Sequence, residues 1–394
     1  MSGRSIGLGL ILVATLARSA VADEAARVAQ LDAARAALKA QDLDAAVRAC
    51  RAAVEAAEEP KWGGPRGAEA WAVCADVEQR AERPAGAVKV LARAARWALD
   101  APRQRRRYLA ARERVAKKAG LVADAKRAGA GLRQDILLQG ILRRPRTSKG
   151  AVPGVLKKLD EAAKLYREDR DWQAVRLVEG ARALVLARSG DPEGGARRAE
   201  RLIARPGART VLEVGLEALY YARLEAEDVM GAARAAVRLN AARSEDLPEE
   251  KRRYARGAEL TRACRALDAA EGPGRCTRLQ LELVGYATLI DYSRARPKAV
   301  LASEDLERVH ADALPVLERC VLERARQDKE RFAGTDLSFA WAIDAGGRPV
   351  APEVRPRRYA DDMQRCVDEA VLWIRYPRVR SQERTNVSVP YHLD

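Results

Sequence analysis

The sequence predicts a mostly α-helical protein in which an array of helical hairpins precedes a small α+β domain at the C-terminus. Three observations lead to this fold class. Only 5% of the 394 residues are aromatic, and alanine and leucine, which favour helices packed on helices, supply most of the apolar content. Stretches that suit helices are broken at short intervals by Asp, Gly and Pro. After Ser303 apolar residues begin to alternate, as they do in half-buried strands.

The N-terminus has the features of a secretory signal peptide over residues 1–22. A basic residue precedes the apolar run 6–16, and small side chains lead up to Ala22, which is followed by Asp23. The run is too short to cross about 30 Å of hydrocarbon as a helix. We therefore expect cleavage between Ala22 and Asp23, and a protein in the periplasm or outside the cell; an uncleaved anchor is the alternative. No later stretch approaches the ~20 apolar residues of a membrane span.

The formal net charge is +16, which raises the question of nucleic acid as a partner. The charges are spread along helices in mixed-sign runs, so we expect no nucleic-acid binding. Two dense basic runs stand out, at 103–107 and at 143–146. Each is either a solvated helix face or linker, or a contact to an anionic lipid, cell-wall polymer or acidic partner.

Six cysteines form an even set in a chain that we expect to enter an oxidising compartment. Their spacing fits three pairs of consecutive cysteines, although six cysteines allow fifteen connectivities. Cys264 and Cys276 flank the turn Gly272-Pro273-Gly274, so a disulfide between two antiparallel helices is sterically reasonable, and two free buried thiols are the alternative. No Cys-x-x-Cys motif occurs, which argues against a thioredoxin-like site and a zinc ribbon. The disulfide candidates are Cys50, Cys74, Cys264, Cys276, Cys320 and Cys366.

Four segments suggest a repeated helical hairpin. The segment 41–53 resembles the turn and second helix of a tetratricopeptide repeat, and 83–94 is a second copy. Ala46 and Ala87, at equivalent positions, are further apart than the usual period of about 34, and the breaker cluster 60–65 accommodates the excess. Further copies lie at 190–196 and 227–233. An array of this kind presents a concave surface to a peptide or protein partner; a plain array of alanine-rich helices is the alternative.

Breaker residues divide the chain into regions. We expect hairpin repeats over 23–142, a linker rich in Pro, Gly and Arg over 143–152, a second helical region over 153–302 and a C-terminal domain over 303–394. Within the second region, one helix is expected from Pro248 to about Ala270, and another from Thr277 to about Arg294.

The C-terminal region reads as helix, strand, strand, helix, strand. A helix opens at Ser303, and the apolar residues Leu337, Phe339, Trp341 and Ile343 alternate in the first strand. The turn 344–347 leads to a returning strand over 348–354. A helix over about 359–374 follows, and Thr385 to Leu393 alternates again.

This order and these residues resemble the C-terminal domain of TonB, in the AgmX/PglI-type version found on envelope proteins of myxobacteria. The resemblance covers the last 85 to 90 residues or so and rests on four stretches: 317–320, 334–343 together with 347–350, 366–377 and 387–391. It implies a bacterial cell-envelope protein that binds an extended peptide by adding a strand to a sheet edge. The candidate edge is the last strand, with Thr385, Val387, Val389 and Tyr391 on one face; pairing inside its own sheet with both sides covered is the alternative.

The resemblance also implies a disulfide between Cys320 and Cys366. Both residues lie in helices that the family packs on the same face of the sheet, and an oxidising compartment favours the bond.

Catalysis is not expected. The chain has two histidines, His310 and His392, whereas acid–base catalysis, nucleophile activation and metal binding draw heavily on histidine. We therefore predict a protein without catalytic residues, cofactor or metal that serves as an envelope scaffold or adaptor. Its expected partner is an envelope protein or extended peptide. The alternative is an accessory protein that binds peptidoglycan or another anionic polymer through basic residues.

Overall fold

The computed structural model describes residues 29–57, 65–143, 148–205, 207–289, 292–294, 296–332, 334–381 and 383–393. These residues form a mostly helical protein with a three-stranded antiparallel sheet near the C-terminus, which confirms the predicted fold class at this level. The predicted signal peptide, its cleavage point at Ala22 and Asp23, most of the breaker cluster 60–65 and the Arg144–Arg146 part of the second basic run lie outside the described residues.

Helices occupy most of the described chain. Helical backbone over 29–39, here α1, is followed by α2 Leu43–Ala57, α3 Pro65–Arg80, α4 Pro84–Trp97, α5 Pro102–Lys118, α6 Val122–Arg143, α7 Val152–Glu168, α8 Trp172–Arg188, α9 Pro192–Ile203, α10 Arg209–Glu225, α11 Val229–Ser244, α12 Glu249–Arg252, α13 Ala258–Glu271, α14 Arg275–Val284, α15 Ser303–Ala325, α16 Lys329–Phe332 and α17 Ala360–Val371. The strands are β1 Thr335–Ile343, β2 Pro349–Arg355 and β3 Thr385–Leu393. None of the described helices combines the length and apolar composition of a membrane span.

Consecutive helices are joined by a recurring tight turn. A residue in the left-handed region ends the first helix, as at Glu227 with φ 58°. The next residue, Asp228, donates its N–H to the carbonyl of Arg223, which is the hydrogen bond that closes many helix C-termini. The Asp228 carboxylate then accepts the N–H of Gly231 at 2.8 Å and caps the following helix. The other left-handed residues at such turns are Gln41, Glu82, Gly120, Arg170 and Gly190.

The helix predicted over 248–270 is interrupted, and this prediction was wrong. Residues 253–257 separate α12 from α13 because the Asn240 side chain on α11 bonds their backbone. Its Nδ2 donates to the carbonyl of Ala255 at 2.7 Å, and its Oδ1 accepts the N–H of Gly257 at 2.8 Å. The helix expected over 277–294 also ends early, at Val284, because Gly285 adopts a left-handed conformation at φ 75°.

The sheet has the order β2-β1-β3. Strand β1 pairs with β3 in continuous antiparallel register, with Phe339 opposite Val389. Its pairing with β2 contains a bulge between Ala340 and Ala342. The predicted alternation in β1 is confirmed, because every second residue from Thr335 to Ile343 is buried. Helices α15 and α17 contribute to the same core, so the predicted helix, strand, strand, helix, strand order is also confirmed.

The chain divides into two compact units by its internal contacts. Among the described residues, one unit comprises those up to 190 together with 197–215, and the other comprises 191–196 and those from 216 onward. The C-terminal sheet and helices α11–α17 belong to the second unit.

Candidate functional site

Strand β3 lies at one edge of the sheet. It pairs with β1 along one side, and no strand in the described part of the chain pairs with its other side. Val387 and Val389 are buried, Thr385 and Tyr391 half-buried. These four predicted binding residues therefore turn their side chains into the core of their own domain, and any contact to a partner at this edge would come from the backbone and from alternate side chains.

The backbone at the open side of β3 presents a defined set of groups that no described strand pairs with. Pro390 has no N–H, so it is compatible with the strand only where its nitrogen points away from β1. Because successive residues of a strand turn their backbone groups to opposite sides, Asn386 and Ser388 point their N–H groups to the open side as well. The side chains of Asn386 and Ser388 are exposed. The edge therefore offers a short hydrogen-bonding ladder that lacks a donor at Pro390.

The opposite edge of the sheet is closed by a side chain. Gln364 on α17 accepts the N–H of Val354 at 3.2 Å and donates to the carbonyl of Pro352 at 2.8 Å. It also donates to Asp368 at 2.7 Å. One amide group thus fills the position that a further strand would occupy beside β2, and β3 is left as the edge that can accept one. Sequence reasoning missed Gln364, because no periodicity signals a bond between a side chain and a distant backbone.

The two histidines occupy different environments. His310 on α15 lies edge-on to Trp341 and Tyr376, with ring centroids 5.7 and 5.9 Å away, and burial lowers its pKa, which keeps the ring neutral at pH 7. Exposed His392 lies opposite Asp336 across the β1–β3 pair, with 2.7 Å between Nδ1 and Oδ1. Among the described residues, no group of three His, Cys, Asp or Glu side chains is placed to hold a metal ion.

All six cysteines are paired, and the expected pairing of consecutive cysteines is confirmed. The pair on α15 and α17 has a Cα–Cα distance of 5.8 Å. A second pair joins α13 to α14 across the Gly-Pro-Gly turn at 5.1 Å, and a third joins α2 to α3 at 5.5 Å. The bonds are Cys320–Cys366, Cys264–Cys276 and Cys50–Cys74.

The first basic run is not a uniformly solvated face. Arg105 turns inward and is 2% exposed. Its guanidinium donates to Asp135 on α6 and to Asp171 at the start of α8, both at 2.8 Å, and to the carbonyl of Ala95 at 2.8 Å. Burial alone would lower the pKa of Arg105, but the two carboxylates raise it. Arg105 therefore remains charged and links helices of the first unit through these hydrogen bonds. Arg103 and Arg107, in the same run, are exposed.

A second buried polar cluster lies beside α15. Asp312 is buried, and its Oδ2 accepts a hydrogen bond from the Tyr292 hydroxyl, with 2.6 Å between the two oxygens. Burial raises the pKa of Asp312 to about 6, with the Tyr292 hydrogen bond opposing the shift. Burial also raises the pKa of Asp268 and lowers the pKa of Arg256. The four side chains form a partly compensated ionic cluster that no local sequence pattern indicated.

Comparison with known proteins adds no family assignment. No protein-family model matches the chain, and no curated protein sequence is significantly similar to it.

Proposed function

We propose that the protein is an exported, non-enzymatic scaffold or adaptor of a bacterial cell envelope that binds an extended peptide by strand addition at β3. The observation that carries the proposal is the difference between the two sheet edges. Gln364 occupies the β2 edge, whereas the β3 edge keeps its outward backbone groups free of any described strand. Main-chain hydrogen bonds to such an edge would supply affinity, and the exposed side chains of Asn386 and Ser388 would supply selectivity.

Two further features support the proposal. The C-terminal region has the element order of the TonB C-terminal family that it resembles, and members of that family meet extended peptides at a sheet edge. Upstream, tight turns and Asp caps recur between consecutive helices, which is the local chemistry of tetratricopeptide-like hairpins. We propose that these hairpins form a curved solenoid with a second, concave binding surface.

Three disulfides suit a chain that folds in an oxidising compartment. They support the proposed export, together with the signal peptide expected over residues 1–22. Intact mass measurement of the protein isolated from an envelope fraction would test this part, because we expect a mature chain that begins at Asp23.

The edge can be tested with one substitution and a matched control. The full chain would be used to select binders from a library of displayed peptides, and the Kd of the recovered peptides would be measured. Ser388→Pro removes one outward N–H and places a ring against the incoming strand, whereas Ser388→Ala keeps the N–H. Both variants lack the serine hydroxyl, so the loss of one backbone hydrogen bond, at about 1 to 1.5 kcal/mol, predicts that the proline variant binds about tenfold more weakly than the alanine variant. Equal binding by both variants would contradict strand addition at β3.

A further inference from the structure

The disulfide between α15 and α17 lines a cavity. The cavity has a volume of about 220 Å³ and lies among α15, α17 and the loop that follows α14. Both Cys320 and Cys366 contribute to its wall, together with apolar residues and the indole of Trp373. Four charged side chains also line it, namely Arg253, Arg319, Glu323 and Glu369. A small molecule or side chain that enters the cavity therefore lies beside both cysteines.

This disulfide differs from the other two in its exposure. All six cysteines lie in the described part of the chain, and five of them are at most 4% exposed. Cys366 is the exception, with an intermediate exposure. A thiolate can attack only a sulfur that it can reach, and the residue open to solvent at this bond is Cys366, while its partner Cys320 is 2% exposed.

We propose that the Cys320–Cys366 disulfide is a site of thiol–disulfide exchange, with a dithiol as the reductant. The first thiolate of the dithiol attacks Cys366 Sγ, a mixed disulfide forms, and the bond between Cys320 and Cys366 breaks. The electron pair leaves on Cys320 Sγ, which takes a proton from water. The second thiolate of the dithiol then attacks the first sulfur of the same dithiol, which is bonded to Cys366 Sγ. This step releases Cys366 as a thiol. The protein gains two electrons and two protons, and the dithiol becomes a disulfide.

The charges around the cavity determine which thiols react well there. Two arginines and two glutamates give the lining no net formal charge. Arg319 is held by Glu323 at 2.7 Å and by the carbonyl of Gly285, whereas the Glu369 side chain is 56% exposed and only loosely paired with Arg365 at 3.5 Å. A change of charge at Glu369 should therefore alter the approach of a charged thiol without disturbing the packing of the domain.

The site of attack can be identified by trapping. The native full chain would be treated with glutathione, quenched with iodoacetamide and analysed by peptide mass spectrometry. We expect glutathione on Cys366, the alkyl group on Cys320, and both other disulfides intact. Dithiothreitol should then reduce the same bond completely before the other two. Glutathione on Cys320, or reduction of all three disulfides together at the rate of global unfolding, would overturn the proposal.

A charge variant tests the route through the cavity. Glu369→Lys changes the local charge by two, so the rate of exchange with anionic glutathione should rise about three- to tenfold at low ionic strength. The rate with neutral 2-mercaptoethanol should stay nearly constant. Glu353→Lys, an exposed position on β2 that does not line the cavity, is the control and should leave both rates unchanged. An equal effect of the two variants would show that attack does not pass through this cavity. The proposal is independent of peptide binding at β3, which the Ser388 variants report separately.

Discussion

At the scale of single residues, the first unit contains a group of buried charged side chains. Arg105 donates one hydrogen bond to each of two carboxylates, which lie 30 and 66 positions further along the chain. Asp171 has a second role, because its other oxygen accepts the N–H of Ala174 at 3.1 Å and caps α8. Burial raises the pKa of Asp135 in spite of the arginine beside it. Arg105 therefore compensates the negative charge of buried carboxylates, whose burial without a counterion would lower the stability of the folded state.

Replacement of Arg105 by methionine should be strongly destabilising. The change keeps most of the side-chain volume but leaves two buried carboxylates without a counterion, which costs about 3 to 5 kcal/mol. Urea unfolding would measure the loss. Arg107→Met, in the same run but at an exposed position, is the control and should change the free energy of unfolding by less than about 0.5 kcal/mol. Similar losses in the two variants would contradict the buried role of Arg105.

Asp312 should make stability depend on pH. Its folded pKa of about 6 lies above the ordinary value, so the folded state holds a proton that the unfolded state releases between about pH 4 and 6. The contribution of this group is therefore fully present below about pH 4 and is lost as the pH rises through 6, by about 3 kcal/mol in total. Asp312→Asn carries no charge at any pH.

The measurement is the free energy of unfolding of the two proteins between about pH 4 and 7. Relative to the native chain, Asp312→Asn should gain stability as the pH rises, because only the native chain must bury an ionised carboxylate at position 312. The titrating groups outside the cluster of Asp312, Tyr292, Asp268 and Arg256 are common to both proteins and cancel in the difference. A difference that does not change with pH would contradict the buried, titrating state of Asp312.

Single residues also show where sequence reasoning ends. The alternation of Leu337, Phe339 and Trp341 is a local signal, and it predicted their burial correctly. An arginine inside a basic run gives the same local signal whether it points outward or inward. The inward position of Arg105 is decided by Asp135 and Asp171, which the fold brings together from distant positions, so no pattern within the run could have revealed it.

At the scale of elements, the turns between helices follow rules that the sequence displays. Asp, Gly and Pro marked helix ends correctly at several hairpins. The interruption at 253–257 escaped prediction because it depends on hydrogen bonds from Asn240, on a different helix. Helix ends that are set by local backbone chemistry were therefore predictable, and those set by tertiary hydrogen bonds were not.

Replacement by glycine should raise the stability of the protein at a turn where a larger residue has a positive φ. Glu227, at φ 58°, is exposed, and Glu227→Gly relieves a conformation that disfavours side chains, with an expected gain of about 0.5 to 1 kcal/mol. Gly120→Ala is the reciprocal change, at φ 70° with nothing within 4 Å of the added methyl group, and should cost about 1 kcal/mol. Thermal unfolding of both variants would measure these shifts, and the same sign for both would contradict the argument.

At the scale of the whole molecule, covalent links are confined to consecutive cysteines. The spacing suggested this pairing, and the C-terminal resemblance implied Cys320–Cys366 in particular. The closure of the β2 edge by Gln364 could not be foreseen, because it requires α17 to be docked on the sheet in its final register. The sequence thus predicted the order of elements in the C-terminal domain better than it predicted which sheet edge stays open.

A disulfide should contribute more to stability when it closes a longer segment of chain, although the dependence on length is only logarithmic. The bond between Cys320 and Cys366 spans 46 residues and the bond between Cys264 and Cys276 spans 12. Chain-entropy arguments give about 4 and about 3 kcal/mol respectively. Double serine variants of each pair, compared by urea unfolding under oxidising conditions, should show the larger loss for the longer loop. Under reducing conditions each variant should approach the reduced native chain, and a larger loss for the shorter loop would oppose this account.

The ion pairs and hydrogen bonds around the α7–α8 turn also affect how the first unit unfolds. Three helices, α4, α5 and α6, send side chains to this one turn. Arg96 donates to the backbone carbonyl of Asp169, Arg112 donates to its carboxylate, and Arg127 lies 3.7 Å from the same carboxylate. Arg105 joins Asp135 to Asp171. In a simple stack of repeats each hairpin contacts only its neighbours, so the ends can fray one hairpin at a time. Here the unfolding of this single turn would leave several buried charges without their partners at once. Residues from α4 to α8 should therefore unfold as one cooperative unit.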